Sequence, residues 1–201
     1  MLPSFLVLEG PDGSGTTTHS RLLALRLRDE GHTNVLLTAE PTEGPVGRFI
    51  RKQLGTSDLE PNTLQLLFTA DRAWHVETII NPSLEAGRTV ICDRYTLSTL
   101  AYGEAQGLDT DRFRAMNDVF PKPEKTILLL PPLAVCIERL SRRRTIDRFE
   151  SLSFQKRVHE VYRRLANKDR HVIVIDSSSD KTLVQEQIWT IIGKSPHRIV
   201  S

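Results

Sequence analysis

Cysteine is nearly missing from this chain. The two residues present, Cys92 and Cys136, sit in apolar surroundings. They read as reduced core side chains, not as a disulfide or a metal site. No apolar run reaches the roughly 18 residues that a membrane-spanning helix needs. The N-terminus lacks a basic region followed by a long apolar stretch, so no signal peptide is read there. These absences point to a cytoplasmic protein with no membrane partner. Neither sign of charge is in excess: the formal net charge is +2, with 26% charged residues. A strong overall pull toward nucleic acid is thereby excluded. The six histidines show no metal-ligand spacing, which reads most of them as surface residues. Repeats, low-complexity tracts and linkers are absent too. A length of 201 residues then suits one domain, 1–201, with a substantial core.

Short apolar runs do occur, at intervals. Phe5 to Leu8, Val35 to Thr38, Thr89 to Cys92, Thr126 to Leu130 and Val172 to Ile175 read as strands. Helical patterns separate them: from Thr17 after the first strand, then Val46 to Leu54, Asn62 to Ala86, Leu97 to Gln106, Thr110 to Val119, Leu133 to Arg143, Ser151 to Asn167 and Lys181 to Ile192. Apolar strands alternating with helices predict an α/β fold, a five-stranded parallel sheet flanked by helices. Ligands of such sheets collect at the carboxyl ends of the strands.

The first of those ends is the most informative. Phe-Leu-Val-Leu-Glu-Gly-Pro-Asp-Gly-Ser-Gly-Thr-Thr-Thr, Phe5 to Thr18, reads as strand, glycine loop and helix start. Gly10, Gly13 and Gly15 let the backbone curl with its N–H groups inward, and the helix adds its positive end. The spacing approaches G-x-x-x-x-G-K-[ST]. Gly10 and Gly15 fill the glycine positions, and Thr17 fills the hydroxyl position that would ligate Mg²⁺. Thr16 stands where the lysine belongs. On this stretch alone, a phosphate-binding loop and a glycine turn before an ordinary helix both remain open.

Further along come Leu67-Phe68-Thr69-Ala70-Asp71-Arg72-Ala73, Asp93-Arg94-Tyr95, Ser98-Thr99-Leu100-Ala101-Tyr102-Gly103 and Asp147-Arg148-Phe149-Glu150. With these motifs in register the chain resembles thymidylate kinase from about Phe5 to Ile192. The resemblance implies the P-loop nucleoside-monophosphate-kinase fold, a short arginine-rich lid at about 141–150, and transfer of the γ-phosphoryl group of ATP to dTMP with Mg²⁺. It also implies a homodimer. ATP phosphates would lie on Gly10, Asp12, Gly13, Ser14, Gly15, Thr16, Thr17 and Thr18. The monophosphate would meet Asp12 at its 3′-hydroxyl and Tyr102 at the 2′ side. Ser98 and Thr99 would meet the base, and Arg94 the phosphates being joined. Asp93 would lie near the Mg²⁺ shell. Phe68 and Arg72 are four apart, on one helix face; the ring can stack on a pyrimidine while the arginine holds its 5′-phosphate. Glu9, Glu40 and Pro41 also match the family, whereas Ala39 stands where it often has an arginine.

Arg139, Arg142, Arg143, Arg144 and Arg148 crowd one segment. A lid, a nucleic-acid patch and a solvated helix end all fit such a run; the small net charge and sparse aromatics disfavour the second. With neutral Gly13 and Ser14 in the loop, Arg143 or Arg148 is expected to replace the charge of the missing lysine. The acceptor phosphate is already anionic at pH 7, so catalysis reduces to alignment and charge neutralisation by Mg²⁺, Arg94 and lid arginines. Two alternatives stand beside dTMP kinase: a kinase for another nucleoside monophosphate, and a nucleotide-binding protein of low activity.

Overall fold

The computed structural model describes residues 2–56, 59–142 and 151–193. The five apolar runs become strands β1 (Phe5–Glu9), β2 (Val35–Ala39), β3 (Thr89–Asp93), β4 (Lys125–Leu129) and β5 (Val172–Ile175). All pair in parallel, in the order β2-β3-β1-β4-β5. The helices are α1 (Thr16–Asp29), α2 (Pro45–Thr56), α3 (Pro61–His75), α4 (Asn81–Glu85), α5 (Thr96–Ala105), α6 (Asp111–Asn117), α7 (Leu133–Ser141), α8 (Leu152–Lys168) and α9 (Lys181–Gly193).

Alternation along the strands sends side chains to both faces. Leu6, Leu8, Ile91, Ile127 and Leu129 meet Leu23 and Leu27 of α1 and Val184 and Ile188 of α9. Phe5, Val7, Val90 and Cys92 face the other way, against Val76, Ile80 and Tyr95. A further cluster joins α2, α3, α5, α6 and α8 through Ile50, Leu64, Leu100, Phe113, Val158 and Tyr162. A parallel sheet buried on both faces has no solvated side to keep polar, which is why its strands read as continuous apolar runs.

The expected single helix from Asn62 to Ala86 is broken. Between α3 and α4 lies a π-helical stretch, Val76–Ile80, with the Asn81 N–H reaching the Val76 carbonyl. Pro82 follows at once. It has no N–H to give and its ring crowds the carbonyl four residues back, so the wider turn absorbs the misfit. The histidines also depart from expectation: His19, His75 and His159 are buried. Each finds partners from remote segments: Gln185 for His19, Glu40 and Thr38 for His75, and the Pro131 carbonyl for His159. Sequence spacing carries no trace of such partners.

The strand order decides where a ligand can sit. From β1 the chain passes over β3 to β2, and from β3 it passes over β1 to β4. The carboxyl ends of β1 and β3 therefore open side by side into one crevice.

Candidate active site

The glycine loop after β1 is held from outside. Gly13 has φ +81°, and a Cβ there would lie 2.5 Å from the Cys136 carbonyl oxygen; Gly15, at φ +99°, caps α1. Arg139 of α7 donates to the carbonyls of Gly13 at 3.2 Å, Ser14 at 3.4 Å and Ser177 at 2.8 Å. Ser177 Oγ adds a bond to the Ser14 carbonyl at 2.7 Å. Carbonyls bound on the outside turn their peptide N–H groups toward the inside. Arg139 thus belongs to the back of the loop, not to a lid. Arg142 is exposed and pairs with Glu138. Arg143, Arg144 and Arg148, with the rest of the lid segment from 143 on, lie outside the described residues.

Thr16 is only 5% exposed, whereas Thr17 and Thr18 are exposed. Thr17 Oγ1 donates to Asp93 Oδ2 at 2.5 Å. The other carboxylate oxygen, Asp93 Oδ1, is buried and has no hydrogen-bond partner. A hydroxyl beside an unsatisfied carboxylate oxygen is a donor set suited to a hard, partly hydrated cation such as Mg²⁺.

Arg94 follows Asp93 with φ 70°, a left-handed conformation that costs a non-glycine residue about 1 kcal/mol or more. Three bonds hold it there: its N–H to the Leu8 carbonyl, the Tyr95 N–H to Glu9 Oε1 at 2.9 Å, and the Cys92 thiol to the Arg94 carbonyl. The guanidinium folds back over the loop, donating to the Gly10 carbonyl and to Asp12 Oδ1, both at 2.7 Å. Asp12 Oδ2 accepts from Gln155 of α8 at 3.1 Å. Glu9 is fully buried. Burial pushes its carboxyl up, against the opposing pull of Ser98, Arg94 and the Tyr95 N–H. It also accepts the Ser98 N–H, and with the Tyr95 N–H it caps α5 in place of any local side chain. Ser98 Oγ bonds Glu9 at 2.5 Å and Tyr162 at 2.8 Å, so its hydroxyl, expected to meet the base, is also part of this anchor.

Beyond Arg94 the crevice deepens into a cavity of about 440 Å³. Asp12, Thr17, Phe68, Arg72, Asp93, Arg94, Ser98, Thr99 and Tyr102 all reach it; the fold gathers them from the glycine loop, α1, α3, the end of β3 and the residue after it, and α5. Arg72 is 1% exposed. It donates to Glu40 Oε2 at 2.7 Å, to Thr99 Oγ1 at 3.1 Å and to Asn117 Oδ1. Arg72, expected to hold the 5′-phosphate of the monophosphate, is thus paired with Glu40 while still lining the cavity, one helical turn after Phe68. Glu40, His75 and Cys92 bring donor atoms within 4.8 Å of one another. Each is already engaged: Glu40 with Arg72 and His75, His75 also with Thr38, and Cys92 with the Arg94 carbonyl.

Among the lining residues that escaped the sequence reading, three are polar or charged donors. Arg21 stands one helical turn after Thr17. Arg51 of α2 reaches the Pro41 carbonyl and Glu43. Gln65 stands one turn before Phe68. Helical spacing from Thr17 and Phe68 would have found the first and third; nothing local marks Arg51.

The comparisons agree with this geometry. A family model described as thymidylate kinase matches residues 8–188. The chain belongs to the thymidylate kinase family. A probable thymidylate kinase of Pyrococcus horikoshii is 37% identical over 195 residues, 94% of this chain and 95% of that protein. A thymidylate kinase of Thermomicrobium roseum is 41% identical over 200 residues, 94% and 93% respectively. One from Synechococcus is 36% identical over 194 residues, 94% and 93%. The family, the fold and the enzyme class expected from the motifs are thus established. Among the described residues no helix is long and apolar enough to cross a membrane.

Proposed function

We propose that this chain, acting as one catalytic unit, transfers the γ-phosphoryl group of ATP to dTMP to form dTDP. One observation carries this reading. Arg94, held in a left-handed backbone conformation, lays its guanidinium over the phosphate loop at the Gly10 carbonyl and Asp12 and also lines the cavity. A fixed cation between two anionic substrates lowers the repulsion as they approach.

The roles follow from position. Main-chain N–H groups from Gly13 to Thr17 and the start of α1 hold the donor phosphates, with Thr18 beside them. Phe68 stacks on the base; Arg72 and Thr99 close the floor beneath it. Asp12 receives the 3′-hydroxyl, and Tyr102, with Arg94 5.5 Å from its ring centre, crowds the 2′ side. Arg21 and Arg51 face the acceptor phosphate as partly exposed cations. Mg²⁺, when bound, would neutralise the donor phosphates; Thr17 would ligate it and Asp93 would hold its water. Arg143 and Arg148 bring the charge that Thr16 does not. No general base is required, because the acceptor oxygen is already ionised at pH 7.

The protein works in the cytoplasm as a homodimer in this proposal. Phe49 of α2, Leu66 of α3 and Met116 of α6 are exposed apolar side chains on helices that pack on one another, which suits a second copy of the same surface. Light scattering after size exclusion reads the mass directly. For the reaction, a coupled assay with ATP, Mg²⁺ and dTMP, dUMP, dCMP and dGMP is decisive: dTMP turns over fastest. Preference for another monophosphate reassigns the acceptor, and no turnover at all leaves only nucleotide binding.

A further inference from the structure

Besides Asp93, the cavity lining includes a neutral acceptor that the fold leaves unused. Gln65 of α3 is 0% exposed and lines the cavity. Its Nε2 donates to Gln106 Oε1 at 2.9 Å. That bond fixes the amide and leaves Gln65 Oε1 buried without a hydrogen-bond partner. Such an atom costs roughly 1–3 kcal/mol, and native interiors hold few of them. Arg72 repeats the pattern with a donor: its Nε is also buried and unpartnered. Gln65, Phe68 and Arg72 stand at i, i+3 and i+7 on one face of α3, so the residues carrying the orphan acceptor and the orphan donor stand one turn before and one turn after Phe68. Across from them α5 gives way. A Cβ at Gly103 would touch Gln65 Cγ at 3.6 Å and Cδ at 3.9 Å, so a longer side chain there would take the space of the amide.

We propose that Gln65 is a specificity-determining residue: its Oε1 accepts the N3–H of the pyrimidine and so favours thymine over cytosine. The inference rests on the proposed binding of dTMP in this cavity. Thymine carries a hydrogen on N3. Cytosine carries a lone pair there, which would face the Gln65 oxygen and leave both atoms unpaired. A site built around one hydrogen bond rejects the analogue that lacks it far more strongly than an apolar wall does. Gln106, at the end of α5, is the positioning residue that keeps the amide turned this way.

The test is steady-state kinetics of the full chain with dTMP, N3-methyl-dTMP and dCMP, for wild type, Gln65→Leu and Gln106→Ala. Gln65→Leu is expected to lower kcat/KM for dTMP roughly 10- to 100-fold while KM for ATP holds. Wild type is expected to penalise N3-methyl-dTMP, and Gln65→Leu to lose most of that penalty and of the dTMP-over-dCMP ratio. Gln106→Ala moves both in the same direction by less, and carries the test if Gln65→Leu melts early. Equal losses with dTMP and its N3-methyl derivative would overturn the assignment, as would a wild-type preference for dCMP. A wild type inactive on every pyrimidine would instead remove the dTMP reading itself.

Discussion

Thr17 and Asp93 stand 76 residues apart in sequence, and their side chains are hydrogen bonded at 2.5 Å. The bond ties the start of α1 to the end of β3, adjoining the one carboxylate oxygen of that pair that nothing else satisfies.

Asp93→Asn keeps the shape and removes the charge. Turnover is expected to fall about 10²–10³-fold, the loss typical of one transition-state contact, and half-saturation by Mg²⁺ to move to higher concentration. A Mg²⁺ titration of wild type and variant checks this; superimposable curves would remove Asp93 from the metal's surroundings.

Thr16→Lys restores the usual loop residue at a position that is buried here. On the proposal that lid arginines supply the charge, turnover is expected to stay within about threefold of wild type. A gain approaching 10²–10³-fold would show that the natural chain lacks it.

Arg143→Ala or Arg148→Ala should cost about 10²-fold or more in kcat, with dTMP affinity kept. If both variants retain turnover within twofold of wild type, the arginine segment does not compensate for Thr16.

His19 links stability to acidity. Burial, then Arg139 and Lys181, lower its pKa to about 4, and its Nδ1 faces the Gln185 amide at 2.8 Å. The unfolded chain takes up the proton near pH 6.5, the folded one only near 4. Its contribution is therefore complete above about pH 6.5 and is lost as pH falls toward 4, by about 2 kcal/mol at pH 5. Chemical denaturation of wild type and His19→Asn from pH 7 to 4.5 measures it: the variant's profile should be flatter by that amount. Parallel profiles would mean that His19 titrates alike in both states.

The sheet was legible because each strand is apolar on both faces, and the loop because its glycines sit at fixed spacing. The cavity was legible only in part. Spacing put Phe68 and Arg72 on one face but could not see Glu40 closing on the guanidinium. Nothing local reveals that the Ser98 hydroxyl meets Glu9, 89 residues away. Arg139 looked like one more arginine in a charged run until α7 aimed it at the loop carbonyls. In each case a partner distant in sequence fixed the side chain, and local pattern holds no record of it.

Gln155 stands on the first turns of α8 and bonds the same carboxylate, Asp12, that holds Arg94. The helix that begins where the arginine segment ends is thereby geared to the acceptor side of the crevice. Any displacement of α8 therefore loosens one of the two bonds on Asp12, the carboxylate that also pairs with Arg94.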